Sequence, residues 1–469
     1  MKVVARSALA GAALCSSVGG AWAHASERGY VLLLPTDYYL FGGMLAVALS
    51  FLVLVFLPVE GFERLLARGW ALFSVPLDGR AAISFASFLI LAGLVFAGFS
   101  GSRDPLSNPL PLVVWTLLWV GVTIVQGVIG NVWAWINPWY GPWRLLVRLG
   151  VPETGIWRMP GVLGRWPAFF TLCGFAWFEL VYLAPADPER LAVAVSIYWV
   201  FTFAGMVLFG HAAWSRRVEF LTLFFGMLSR LSFLAVSERE GRRKLVFGLP
   251  GYKLGGVAAL SISGIAFLLF ALSSVSFDGL KHTFFWLDLI GINPLEFPGR
   301  SAVVGASSLG LIVMFGLLFS AFLAAVWLGC RLAGEDDWLE LAGHLAWSII
   351  PIALAYHFSH YLVGFTINSQ YALAALSDPL MRGWNLFGTA GLHVQAGATL
   401  GAQSAWIIWN AQAFAIIGGH VLAVVLSHLI AYRHFGSAQR ATMSQIPFAV
   451  LMVGYTVFGL WLLSAPTAG

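Results

Sequence analysis

Long apolar runs, each closed by a short polar or charged stretch, follow one another along this chain. They fall at about 38–57, 81–99, 111–133, 166–183, 191–210, 255–274, 301–328, 342–364, 403–432 and 446–464, with boundaries good to a few residues. A helix rising 1.5 Å per residue needs roughly 20 apolar residues to cross hydrocarbon. The pattern therefore predicts an all-α fold, a polytopic membrane helix bundle of about ten transmembrane helices. Polar segments of varied length separate the runs. They contain no soluble domain, low-complexity linker, internal repeat or phosphate-binding glycine loop.

The first residues read differently. Lys2 and Arg6 precede a small-residue apolar stretch, Ala8 to Gly19, which leads to Ala21-Trp22-Ala23. That is the layout of a secretory signal peptide, 1–23, with 24–469 as a single transmembrane domain. Cleavage after Ala23 makes His24 the mature N-terminus, where a free amine and an imidazole together can chelate copper.

Charge sets the orientation. With the mature N-terminus outside, 18 of the 26 Lys and Arg residues fall in inner segments, against six outside; Lys2 and Arg6 belong to the signal peptide. This asymmetry follows the positive-inside rule and places the C-terminus outside as well. Arg216, Arg217 and Arg230 interrupt an apolar stretch at about 216–236, which reads as an amphipathic helix on the inner face. The basic run 238–244 reads as a solvated loop. Longer outer segments are expected at about 276–300 and 366–402.

Composition agrees. The chain is 59% hydrophobic and only 10% charged, against roughly 25% charged in soluble domains. The net charge of +5 resides in loops between spans, so a lipid bilayer and not nucleic acid is the expected partner. Three separated cysteines offer neither a disulfide framework nor a thiolate metal site.

The candidate chemistry lies inside the spans. His357 and His360, three residues apart, share one helix face, and ionisable groups at membrane depth are costly and usually functional. Glu179 near the end of its span and His420 midway along another fall toward the same, outer half. Asp278, His282 and His393 belong to outer segments; His211, His344, His428 and His434 lie toward the inner side. Imidazoles with a carboxylate are the ligand set of zinc or copper. The expected metal ligands are His24, His357, His360 and His420, with Glu179 as catalytic base or further ligand. A divalent metal ion there could activate water against a small lipophilic ester or phosphotriester. The same residues also suit a metal-ion carrier, a proton relay, or a subunit held to a second membrane protein.

Several stretches carry a family resemblance: Ser276-Phe277-Asp278-Gly279, Pro351 to Tyr361, Ser377-Asp378-Pro379-Leu380, Gly383 to Thr389, Gly418-Gly419-His420, Ala23-His24-Ala25, Phe175-Ala176-Trp177 with Glu179, and Phe224 to Arg230. Over its whole length the chain resembles bacterial polytopic membrane proteins commonly labelled fenitrothion hydrolase. The resemblance implies location in the bacterial inner membrane and hydrolysis of an organophosphate phosphotriester. It brings no recognised catalytic residues.

Overall fold

The computed structural model describes residues 36–56, 61, 64, 68–74, 79–239, 242–296, 299–399 and 401–467. The expected signal peptide and His24 lie outside them. Helices dominate: α1 (Thr36–Phe56), α2 (Arg80–Ser100), α3 (Pro109–Val128), α4 (Trp166–Leu180), α5 (Pro188–Phe209), α6 (Phe220–Leu228), α7 (Ile262–Lys281), α8 (Arg300–Leu332), α9 (Trp338–Ser377), α10 (Ala402–Phe435) and α11 (Ala438–Ser464). Among the described residues nine are long and apolar enough to cross a membrane, all but α4 and α6. The chain is a multi-pass membrane helix bundle, as its hydrophobic pattern predicts.

The tenth expected span is α4, whose 15 residues reach only about 22 Å. Strand pairing nevertheless makes it a crossing. β1 (Gly69–Ser74) pairs antiparallel with β3 (Arg242–Gly248), which also pairs with β2 (Leu234–Arg239). Strands that pair lie on one side of a bilayer, so an even number of crossings must separate β1 from β2. The helices α2, α3, α4 and α5 supply that number, and without α4 it would be odd. The bridge between Thr283 and Thr467 imposes the same parity on α8 to α11.

The sheet is where the chain departs from the hydrophobic pattern. The stretch expected as an interfacial helix and a solvated loop is a short helix, His211–Arg217, then α6, then the β2–β3 hairpin. α6 is not on a surface: Phe220, Leu221, Phe224, Phe225, Met227 and Leu228 are buried in the bundle. Glu219, itself buried, caps it by accepting from the Leu221 and Thr222 amides at 2.9 and 2.7 Å and from the Tyr198 hydroxyl at 2.8 Å. Lys253 holds the sheet to the bundle by donating to the Ser229 and Leu234 carbonyls and the Ser232 hydroxyl, each at 2.7 Å. Burial pushes its ammonium down to about 8.

Local signals explain several boundaries. Asn108 and Asp187 cap α3 and α5 through side-chain bonds to the Leu110 and Arg190 amides, each followed by a proline in the first turn. α9 narrows to a 3-10 turn at Ala346–Ile349, directly before Pro351 resumes the helix. The middle of α3, Leu112–Val122, is a π-helix, a rare geometry often found at functional sites.

α7 is the axis of the molecule. Eighty-nine per cent of its apolar window is buried, against 17% for α1 and 22% for α2, so its neighbours screen it from lipid. It packs against α4, α8 and α9, while α9 also packs against α3 and α10. Leu309, Ile312 and Leu317 of α8 and Leu49, Leu52 and Phe56 of α1 remain exposed, as a lipid-facing surface requires. Small residues set the closest approaches: a Cβ on Gly329 would overlap the Ser444 carbonyl, and one on Gly419 would crowd Ala355 and Pro351. Gly329→Ala is therefore expected to force α8 and α11 apart. The midpoint of thermal unfolding in detergent should fall by several degrees, corresponding to more than about 2 kcal/mol. An unchanged midpoint would mean that the backbone shifts at no cost.

Candidate functional site

The last turn of α7 and the middle of α9 bring the site together. The apolar run that begins α7 continues past Ser276, so Asp278 and Lys281 end a helix and are not in a loop. They are three residues apart, on one face, and the Lys281 ammonium lies 2.9 Å from Asp278 Oδ1. The other carboxylate oxygen, Oδ2, is 2.8 Å from Nε2 of His360. Lys281 also donates to the Leu180 carbonyl at 3.1 Å. Arg300, at the start of α8, donates to the Glu179 and Tyr182 carbonyls at 3.0 Å each. Two cations thus satisfy the open carbonyls at the C-terminus of α4, where the helix dipole is negative. This capping fixes Glu179 beside α9.

Tyr361 closes the group. Its hydroxyl lies 3.3 Å from Glu179 Oε1 and 3.2 Å from Asp278 Oδ2. It carries one proton, so it donates to one carboxylate at a time. Both distances exceed the usual 2.7–2.8 Å of an O–H···O bond, which leaves the hydroxyl loosely held between two acids.

The His360 tautomer follows from its neighbour. Asp278, ion-paired with Lys281, is an acceptor, so His360 Nε2 carries the proton and donates it. In the neutral ring Nδ1 is then a base, and it has no hydrogen-bond partner among the described residues. Gly279 keeps space beside it: a Cβ there would sit 3.7 Å from Nδ1. The His360 and Asp278 side chains remain 17% and 14% exposed, so the pair is not sealed in the core. An imidazole held by a carboxylate at one nitrogen and open at the other is the arrangement of a general base.

The structure distributes the expected ligands. Glu179 and His360 meet, through Tyr361 and Asp278. His357, one turn away and buried, turns elsewhere: its Nε2 bonds to the Trp119 carbonyl at 2.9 Å, within the π-helix of α3, and its ring meets the Trp119 indole edge-on at 5.2 Å. A carbonyl accepts only, so His357 is a donor there and ties α9 to α3. His420 is on α10, buried, with Nδ1 donating to the Ile416 carbonyl at 2.9 Å. Among the described residues no three His, Cys, Asp or Glu side chains are grouped so as to hold a metal ion. The chemistry of the donor set agrees. Asp278 has one oxygen on Lys281 and the other on His360, and although His357 and His420 each keep a second ring nitrogen, neither is grouped with two further such side chains, so the described residues expected to bind zinc or copper are not gathered around one ion in this arrangement.

Lys281, Tyr361 and Arg300 are the members that the hydrophobic pattern does not single out, and Asp278 is expected in a loop. One signal for them exists: the apolar character of α7 persists through Val275, Phe277 and Leu280, with Asp278 and Lys281 at helical spacing.

No known protein family, curated protein or solved structure matches this chain.

Proposed function

We propose that this chain is a membrane-embedded hydrolase of small lipophilic esters or phosphotriesters, with His360 as general base and Asp278 as the group that orients it. The observation that carries this reading is the 2.8 Å contact between His360 Nε2 and Asp278 Oδ2, which leaves Nδ1 free to take a proton. His360 Nδ1 removes a proton from water as the oxygen attacks the carbonyl carbon or phosphorus, and the imidazolium returns that proton to the departing alcohol. Asp278 stabilises the imidazolium and Lys281 holds Asp278 in place. Tyr361, loosely shared between Glu179 and Asp278, donates to the oxygen on which charge develops. The apolar surroundings suit a substrate arriving from the bilayer, and the resemblance of several stretches to proteins labelled fenitrothion hydrolase points to the same substrate class. The same resemblance suggests the bacterial inner membrane, and the distribution of Lys and Arg supports an orientation with both termini and this centre on its periplasmic side.

The test is turnover of a p-nitrophenyl phosphotriester and a p-nitrophenyl alkanoate by purified protein in detergent. Asp278→Asn is expected to lower kcat by about 10²–10⁴-fold with little change in KM, because with its oxygen held by Lys281 the amide presents an N–H to Nε2, which favours the wrong tautomer, and carries no charge to stabilise the imidazolium. Absence of turnover in the wild type, or an Asp278→Asn enzyme as fast as the wild type, would overturn the reading.

A further inference from the structure

A second set of polar groups runs through the bundle away from this centre. His420 Nε2 and His428 Nδ1 of α10, and Gln445 Nε2 of α11, are buried and have no hydrogen-bond partner among the described residues. Their side chains are 1%, 2% and 1% exposed. Bare polar atoms at that depth are costly, and buried water is the usual partner that satisfies them.

Their levels are ordered. α10 and α11 are consecutive, antiparallel and in contact, joined through Gly436 and Ser437. His428 and Gln445 each stand seven residues from that turn, so both lie about 10 Å along their helices from it. Each of the two orphaned atoms offers a buried water a polar partner at that level. His420 lies about 12 Å farther along α10. At its level the Tyr455 ring is 6.3 Å from the His420 ring, centre to centre, and the Tyr455 hydroxyl is 2.5 Å from Ser276 Oγ. Ser276 is fully buried on α7, two residues before Asp278. The far end of the file adjoins the sheet: Gly251, just after β3, packs against Leu426 of α10.

We infer that Gln445, His428 and His420 hold a file of water that carries protons between the sheet end of the bundle and the Asp278–His360 pair, by way of Tyr455 and Ser276. His420 Nδ1 is committed to the Ile416 carbonyl, so its ring accepts and releases a proton at Nε2. At Tyr455 and Ser276 a proton reaches one lone pair of the hydroxyl as the O–H proton leaves toward the next oxygen. Every proton taken up at one end is released at the other, no bond between heavy atoms changes, and no electron moves. Intramembrane chains of such groups are the usual route for proton transfer. The inference rests on the orphaned atoms and their order, not on the hydrolytic reading.

The experiment uses the whole chain in liposomes that contain a trapped pH-sensitive dye, with a valinomycin potassium potential as the driving force. Wild-type vesicles are expected to change internal pH faster than protein-free vesicles, and His420→Phe to return the rate to the protein-free level. Gln445→Leu, which replaces an orphaned amide by an apolar group of similar size, should fold at least as well and also lose the flux. A wild-type rate equal to that of protein-free vesicles, or a full rate in Gln445→Leu, would overturn the path. Ester hydrolysis by the same preparation is read in parallel: hydrolysis without flux removes the path alone, and flux without hydrolysis removes the hydrolytic reading alone.

Discussion

His360→Ala is expected to lower hydrolysis by about 10²–10⁴-fold, and added imidazole to restore part of it. The loss follows from geometry. Among the six described histidines of the long spans, His360 is the one that hydrogen-bonds a carboxylate and keeps its other ring nitrogen free, since His344 stands 3.9 Å from Glu340, beyond hydrogen-bond reach. His357 and His420 each commit a nitrogen to a backbone carbonyl, and the orphaned Nδ1 of His428 lies deep on α10. The rescue separates chemistry from architecture. Removing the ring leaves space beside Gly279 and Asp278, and a free imidazole placed there regains the Asp278 acceptor. A residue that merely packed α9 against α7 would give no such recovery. His357→Phe provides the contrast. It loses the bond to the Trp119 carbonyl and is expected to reduce thermal stability, while the enzyme that remains folded turns over at close to the wild-type rate.

Lys281→Met is expected to be the most damaging single change to stability near the centre, at about 3–5 kcal/mol. Lys281 and Asp278 are 7% and 14% exposed and 2.9 Å apart. Removing the ammonium leaves a carboxylate at membrane depth with no cation on Oδ1, and opens the Leu180 carbonyl as well. The double variant Asp278→Asn/Lys281→Met should recover much of the loss, because both charges go together. It should remain slow, because an amide at position 278 carries no charge to stabilise the imidazolium. A double-mutant cycle of unfolding midpoints measures the coupling, and strictly additive losses would mean that the pair is not energetically joined.

The bundle was legible in the sequence because hydrocarbon imposes one solution on a chain of this composition. Backbone groups must be satisfied within each span, and only a helix or a closed barrel achieves that. The centre was legible only in part. His360 and Glu179 stand out as costly groups inside apolar runs, and they do meet. The spacing of His357 and His360 puts both on one helix face, but a shared face does not fix where each ring points. The open geometry of the π-helical segment offers the Trp119 carbonyl to His357 and draws that ring away. Asp278 reads as lying outside the membrane because polar residues follow Ser273 in the sequence. In fact α7 is enclosed by its neighbours, so it can carry an ion pair in its last turn without exposing it to lipid. The sheet is hidden from the hydrophobic pattern for another reason. Its basic residues read as solvated, and its pairing joins residues 170 to 179 positions apart, a relation no local pattern encodes.

The central claim is that Asp278 holds His360 with its proton on Nε2 and its Nδ1 open as a base. Nitrogen-15 NMR of histidine-labelled protein reports this directly, with the His360 signals assigned by their absence in His360→Gln. The account predicts a neutral ring protonated at Nε2, whose resonances move in Asp278→Asn. A ring protonated at Nδ1, or one indifferent to Asp278→Asn, would contradict it.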